Sequence, residues 1–563
     1  MPTLDKPKTL LIRAEAGPKI GVGHVMRMLA LAQAWQDRGG NVTFAAIQCP
    51  NKLTTHIVNE GFHYRKINAS AAGTNQDATA TCELAKELEI NWIILDGYEF
   101  GNDFQIQIKT SGLRTLVVDD HGYCNDWCAD VILNQNLSAQ KHNYGSIRTL
   151  LGVQFALLRR EFRLESGLIP FPKTDKIKRL LINYGGADPV GATAKTLKII
   201  SKFKEHPLEI RVIVGPAYEK LNDLNYIALK NQHSIELLSN VKDMHVQYKW
   251  ADGFLGAGGS TCWELLFYGL RASLVPIASN QENIVNALIT RKLACSAGYY
   301  ENDNVEIEEK LIHQFLTTPI DQFSNDPQKR LVDGRGAERV AALLDNRLRI
   351  CVGTSKDGWL FPLIKIFVQE LENEGHTVCI ATTSEEIKEG DILLLLSFWE
   401  IVKPSILKLN THNLVVHASN LPEGRGWSPW TWQVIEGKED LTLSLIEAAK
   451  GVDTGDIYDQ ITIPLAGSEL LSELRSIVLK GTIELCRTAI KNYPNSIAAP
   501  IEQKGDASYY RRRSPADSEL NPDLSLRDQF NLLRVVDNEA YPAFFKIGKN
   551  RFVIKIESDD EDS

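Results

Sequence analysis

The sequence predicts an α/β protein made of two doubly wound parallel sheets, a third α/β sheet and a small C-terminal appendage, and three observations carry that prediction. Short β-branched runs alternate with amphipathic stretches from Lys8 to about Asn346. The alternation breaks near "LIPFPKTDKIK" (168–178) and begins a third time after "GAERVAALLDN". At 563 residues the chain is also too long for a single hydrophobic core.

Taken in order, "TLLIRAE" reads as a strand, "HVMRMLALAQAWQDRGG" as a helix closed by Gly39 and Gly40, and "NVTFAAI" as the next strand. The same rhythm recurs at "WIILDGY", "TLVVDDH", "RLLINYGG", "EIRVIVG" and "ASLVPIA". The third unit opens with the strand "LRICVGTS", the glycine-ended helix "LFPLIKIFVQELENEG", and the strands "HTVCIATT" and "DILLLLS". From Ile501 the pattern changes: "SYYRRRSPADSELNPD" is rich in turn formers, then a helix-like "LRDQFNLLRVV" precedes a β-like "RFVIKI". The expected domains are 1–170, 171–346, 347–500 and a small C-terminal appendage, 501–563, with an acidic tail.

Composition limits the function classes. With 44% hydrophobic and 24% charged residues the chain is ordinary globular protein. Its start lacks the apolar core of a signal peptide, and runs such as "DILLLLSFW" are too short to cross a bilayer, so a soluble cytoplasmic protein without a membrane partner is expected. Nine scattered cysteines fit reduced thiols. His121, Cys124 and Cys128 are spaced like metal ligands, but no nearby fourth ligand completes a structural zinc site, so no metal is expected. Residues 347–563 hold 24 Lys+Arg against 33 Asp+Glu, while 1–346 balance at 38 each. That acidity argues against a nucleic-acid partner, and three consecutive arginines in "YYRRRS" do not reverse it.

Two places carry candidate chemistry. After the first strand, "GPKIGVGH" leads into a helix; Gly21 and Gly23 let a ligand approach the backbone, and the helix N-terminus suits a phosphate. His24 falls in the first helical turn, where the dipole favours a neutral imidazole suited to general-base work. A glycine turn that only packs helix on strand is the competing reading. In "GAGGSTCWELLFYGL", Gly259, Ser260 and Thr261 precede a helix carrying Glu264, a pattern that takes a diphosphate and a ribose or else simply a close helix–strand turn. The second place is "NLVVHASNLPEGRGWSPW": His417 ends a strand, Ser428 and Pro429 open a helix, and Asp453 lies in the later loop "GVDTGDIY". A lone histidine at a strand end is also commonly structural.

The ordered motifs "IRAEAGPKIGVGHVMR", "LDGY", "VVDD", "ILNQN", "YGGADP" and "GGSTCWELL…ASNQ", over roughly 8–345, resemble the UDP-sugar hydrolase of pseudaminic acid biosynthesis. That resemblance implies a GT-B-like pair of doubly wound domains. It also implies that water displaces UDP from a UDP-linked diacetamido sugar with inversion and without a metal. His24 matches the family's catalytic histidine and Tyr98 the tyrosine of its D-H-Y motif, whose middle residue is Gly97 here. Ser260, Thr261 and Glu264 match its UDP-binding helix, and Asn280 and Gln281 fall where the nucleotide is also contacted. Asp96 either orients the site or caps a turn.

Over roughly 347–500, "HASNLPEGRGWSPWTWQVIEG…VDTGDIY" resembles the 10-formyltetrahydrofolate-dependent formyltransferases, and "RRRSPADSELNP…NLLRVVDNEAYPAFF" resembles the closing segment of the sugar-modifying members. The resemblance implies formyl transfer to an amine, with His417 on the developing oxyanion and Asp453 orienting it or relaying a proton. Phe398 and Trp399 lie where the folate site begins, or in the core. The family's Asn two residues before the histidine is Val415 here, which cannot donate; Asn420 is the candidate substitute, or a turn former. The combined expectation is a bifunctional enzyme acting on a UDP-amino sugar. The alternative is a GT-B glycosyltransferase fused to a silent formyltransferase-like module.

Overall fold

The computed structural model describes residues 8–17, 20–164, 176–204, 207–215, 218, 220–239, 241, 243–319, 331–449 and 451–558. The N-terminal tail 1–7, most of the expected break at 168–178 and the end of the acidic tail, 559–563, lie outside the described residues. The chain divides into two compact units, 1–344 and 345–563.

The first unit holds two parallel sheets. One contains β1 (Thr9–Ala14), β2 (Asn41–Ala46), β3 (His63–Lys66), β4 (Trp92–Asp96), β5 (Arg114–Val118), β6 (Val131–Asn134) and β7 (Arg148–Leu151), in the order β3-β2-β1-β4-β5-β6-β7. The other contains β8 (Arg179–Asn183), β9 (Glu209–Val214), β10 (Ser234–Ser239), β11 (Gly253–Ala257), β12 (Ala272–Val275) and β13 (Cys295–Ser296), in the order β10-β9-β8-β11-β12-β13. A hairpin, β14 (Gly298–Glu301) with β15 (Asn304–Ile307), follows. This is the GT-B-like α/β arrangement expected of the sequence. In each sheet the winding reverses, between β1 and β4 and between β8 and β11, which opens a ligand crevice at the strands' carboxyl ends.

Strands buried on both faces explain the continuous apolar runs: Leu10, Leu11, Ile12, Ile93, Ile94 and Leu95 are fully buried. Arg13 is buried among them without loss because Asp77 accepts from its Nη2 at 2.6 and 2.8 Å and Glu15 from its Nη1 at 3.2 Å. Gly256 lies inside β11, and a Cβ there would meet the Asn183 carbonyl oxygen at 2.1 Å, so the close approach of β8 and β11 needs glycine.

The second unit has one mixed sheet. β16 (Arg349–Gly353), β17 (Thr377–Ala381), β18 (Gly390–Leu395) and β19 (Asn410–His417) are parallel. After the short β20 (Arg425–Gly426), β21 (Asp440–Glu447) and β22 (Ile457–Pro464) join antiparallel, giving the order β17-β16-β18-β19-β21-β22. β19 is thus parallel to β18 and antiparallel to β21; from Gln460 on, β22 alternates exposed with half-buried positions because one face meets solvent. Beyond Ile501, β23 (Tyr509–Tyr510) pairs with β20, and β24 (Ala543–Ile547) forms a hairpin with β25 (Asn550–Ile554).

Candidate functional sites

In the first unit, the helix Gly23–Gln36 follows β1 and presents His24 and Arg27 on one face, three residues apart. Both reach the carboxyl ends of β4 and β5. Asp96, fully buried at the end of β4, lies 2.7 Å from His24 Nδ1 and accepts from Arg27 Nε at 2.6 Å. Arg27 also donates to Asp120 at 2.8 Å. Although burial opposes its ionisation, the neighbouring Arg27 and His24 hold the Asp96 carboxyl below the usual aspartate range. An ionised carboxylate only accepts, so His24 carries its proton on Nδ1 and leaves Nε2 without a protein partner among the described residues.

The electrostatics of His24 differ from the sequence expectation. Burial pulls the imidazole down, but Asp96, through its charge and hydrogen bond, outweighs burial and raises the pKa above 6.5. A helix N-terminus alone would have kept the ring neutral; a fully buried carboxylate 2.7 Å away is the stronger field.

Tyr98 closes the wall. Its ring meets the His24 ring edge-on at 5.4 Å, its hydroxyl donates to Asp120 at 2.9 Å, and Asn280 Nδ2 donates to that hydroxyl at 3.3 Å. The structure thus brings His24, Tyr98 and Asn280 together, with Asp96 as orienting carboxylate. Gln281 serves its own turn, its Oε1 accepting from the Ile277 N–H. Gly21 has φ +81 and Gly23 meets nothing within 4 Å, so the backbone there stands open.

The helix Thr261–Tyr268 follows β11. Ser260 is exposed and caps no backbone donor, Thr261 is half-buried, and Gly259 has only Gln281 Nε2 near its missing Cβ, at 3.9 Å. Gly258 answers to packing instead, since a Cβ there would strike Val285 at 2.0 Å. Glu264 is not a solvated surface carboxylate: Tyr248 donates to it at 2.6 Å, Arg159 lies 3.9 Å away, and burial pushes its carboxyl up.

In the second unit His417 ends β19 as expected, buried at 7% exposure. Its Nε2 donates to the Gly424 carbonyl at 2.9 Å and its Nδ1 faces Asp453 Oδ2 at 3.5 Å. Asp453, at φ +54, also accepts from the Gly426 N–H at 2.9 Å. The loop is tied from far along the chain: Gly424 N–H donates to Ser508, and Gln503 donates to the carbonyls of Asp453 and Gly455. Gly424 must be glycine, because φ is +72 and a Cβ would meet the Tyr510 ring at 2.7 Å.

Asn420 is exposed and its Oδ1 accepts from Gln460 at 3.4 Å, which leaves its amide donor without a protein partner among the described residues. Val415 packs against the core clusters containing Leu395 and Ile446. Phe398 packs against the first of those clusters, whereas Trp399 is half-exposed and its N–H donates to Ser355 Oγ. Ser428 sits at the helix N-terminus, but at φ 51 its hydroxyl makes no capping bond, which corrects that expectation. Among the described residues no group of three or more His, Cys, Asp or Glu is placed to hold a metal ion, and no helix is long and apolar enough to cross a membrane.

Arg27, Asp120, Gln503 and Ser508 were not anticipated. The His24–Arg27 spacing and the doubled aspartate of "VVDD" at the end of β5 were available signals; for Gln503 and Ser508 there was none.

Comparison with known proteins finds two kinds of similarity. Residues 189–330 match the glycosyltransferase family 28 C-terminal domain. The chain is 24% identical over 270 residues to an uncharacterised protein of Methanocaldococcus jannaschii, a match covering 46% of this chain and 54% of that one. It is 27% identical over 233 residues to methionyl-tRNA formyltransferase of Clostridium perfringens, covering 39% of this chain and 72% of the relative. Among solved structures, MurG of Acinetobacter baumannii aligns at 16% identity and TM-score 0.42, over 60% of this chain and all of that one. One chain thus joins glycosyltransferase-like and formyltransferase-like segments.

Proposed function

We propose that the protein is a bifunctional nucleotide-sugar enzyme. The second unit N-formylates the 4-amine of UDP-4-amino-4,6-dideoxy-N-acetyl-β-L-altrosamine, using 10-formyltetrahydrofolate. The first unit then releases UDP from the acylated sugar, for a pseudaminic-acid-type nonulosonate. The observation that carries the proposal is the His24–Asp96 pair, 2.7 Å apart, with the second ring nitrogen lacking a protein partner among the described residues. Water gives its proton to His24 Nε2 as its oxygen bonds to the anomeric carbon. The bond to the diphosphate oxygen breaks, and the electron pair leaves with UDP. Tyr98 and Asn280 line the sugar side, and the open backbone at Gly259–Thr261 with Glu264 takes the nucleotide.

In the second unit a folate donor supplies the formyl carbon, and half-exposed Trp399 at the carboxyl edge of the sheet suits a flat heterocycle. The acceptor amine bonds to the formyl carbon and the carbon–N10 bond of the donor breaks; Asp453, which steadies the Gly426 backbone, takes the amine proton and passes it to N10. His417 reaches the developing oxyanion once its Nε2–H leaves the Gly424 carbonyl, and the Asn420 amide is the second donor. The acidic charge of residues 347–563 favours a small acceptor over tRNA.

Two observations favour a second reading, a glycosyltransferase carrying a silent binding module: the family 28 match, and the engagement of His417 Nε2 by its own loop. Incubation with the UDP-4-amino sugar, with and without 10-formyltetrahydrofolate, followed by mass analysis of the products separates the two. Formyl-dependent UDP release is the expected result. UDP release that needs a second sugar, with no formyl label in any product, would establish the alternative.

A further inference from the structure

Glu99 is a carboxylate that the proposed chemistry leaves unused. It lies two residues beyond Gly97, just past the carboxyl end of β4, and so beside the crevice where the winding of the first sheet reverses between β1 and β4. Gly97 is what gives it room: a Cβ at that position would meet the Glu99 carboxylate atoms at 2.6 and 2.7 Å. The carboxylate therefore occupies the space that a side chain at position 97 would fill. Its Oε1 is shielded from solvent and has no hydrogen-bond partner among the described residues. Loop 71–73 closes over its backbone, since a Cβ on Gly73 would strike the Glu99 carbonyl oxygen at 2.1 Å.

We infer that Glu99 is a specificity-determining residue of the first site, its Oε1 accepting a hydrogen bond from an N–H or O–H of the bound glycosyl group. A buried acceptor without a donor is a standing cost, and a site for a polyhydroxylated ring is where such a cost is relieved by the ligand. The neighbouring charges agree with an acceptor awaiting a donor. Burial pushes the Glu99 carboxyl up, and Glu15 and Asp96 push it the same way against the opposing effect of its own backbone N–H and His24. Arg13, the nearest cation on β1, is already committed to Asp77 and Glu15.

The inference rests on the reading of the first unit as a UDP-sugar enzyme, and calorimetry separates the two. Dissociation constants of UDP and of the UDP-4-amino sugar are measured on the full chain carrying His24→Ala, which prevents turnover, alone and combined with Glu99→Leu or Glu99→Gln. The expected result is unchanged UDP affinity in all three proteins. The sugar nucleotide should bind about tenfold more weakly with Leu, the equivalent of about 1.4 kcal/mol, and return to within about threefold with Gln, which keeps an acceptor oxygen. Equal sugar affinity in the Leu and Glu proteins would overturn the role of Glu99, as would a parallel loss of UDP affinity. Failure of the His24→Ala protein to bind UDP at all would instead remove the reading beneath it.

Discussion

The two histidine sites solve the same problem, holding an imidazole at the carboxyl edge of a sheet, by opposite means. His24 is fixed through one nitrogen by a buried side chain, Asp96, itself locked by Arg27, and the other nitrogen has no protein partner among the described residues. His417 is held at both nitrogens, by the Gly424 carbonyl and by Asp453, within a loop braced by backbone bonds. A side-chain network gives a strong local field and one fixed tautomer. A backbone-braced loop gives position but leaves the ring to change partners during the reaction.

The sharpest test of this contrast is His24→Ala. UDP release should fall by about 10²–10⁴-fold, the usual weight of a general base, while formyl transfer holds; loss of both activities would sink the two-site model. Next comes Asp96→Ala, which leaves Arg27 buried beside a missing partner. Thermal unfolding should show a loss of about 3–5 kcal/mol. In the wild type, UDP release should rise with pH, with its midpoint above 6.5 because His24 must lose its proton to act as base. Stability runs the other way. The raised pKa means the His24–Asp96 contribution is complete below about 6.5 and is lost as pH rises through the folded value. The lowered pKa of Asp96 adds stability above about 3.8 that is lost as pH falls through its depressed value. A wild-type rate midpoint at or below 6.5 would contradict the pairing. The smallest effect belongs to the second site: Asn420→Ala should slow formyl transfer by about tenfold, and more than Val415→Ala does, through loss of a single donor. Equal, mild effects in quenched assays would remove Asn420 from that role.

Much of this contrast was legible in the chain. Strands buried on both faces announce themselves as apolar runs, and glycines before His24 and Thr261 mark helices that start at a crevice. Arg27 was within reach too, because residues three apart share a helix face. What the sequence hid was pairing at long range. Nothing local in "SYYRRRS" signals that Tyr509 and Tyr510 form a strand with Arg425 and Gly426, and residues after 501 read instead as an appendage. The antiparallel edge was missed because β21 is apolar enough to pass for another parallel strand. The charge state of His24 was misjudged because a dipole is visible in sequence and a buried partner 72 residues away is not.

That pairing of β20 with β23 also sets the order in which the protein can be finished. The sheet that carries His417 can form as soon as β22 has been made, but the loop beside the histidine lacks its brace until Ser508 and Tyr510 have been synthesised, 84 residues after their partners Gly424 and Gly426. A nascent chain halted before that point would carry an assembled scaffold with an unbraced loop beside His417, so that candidate site is completed late in synthesis.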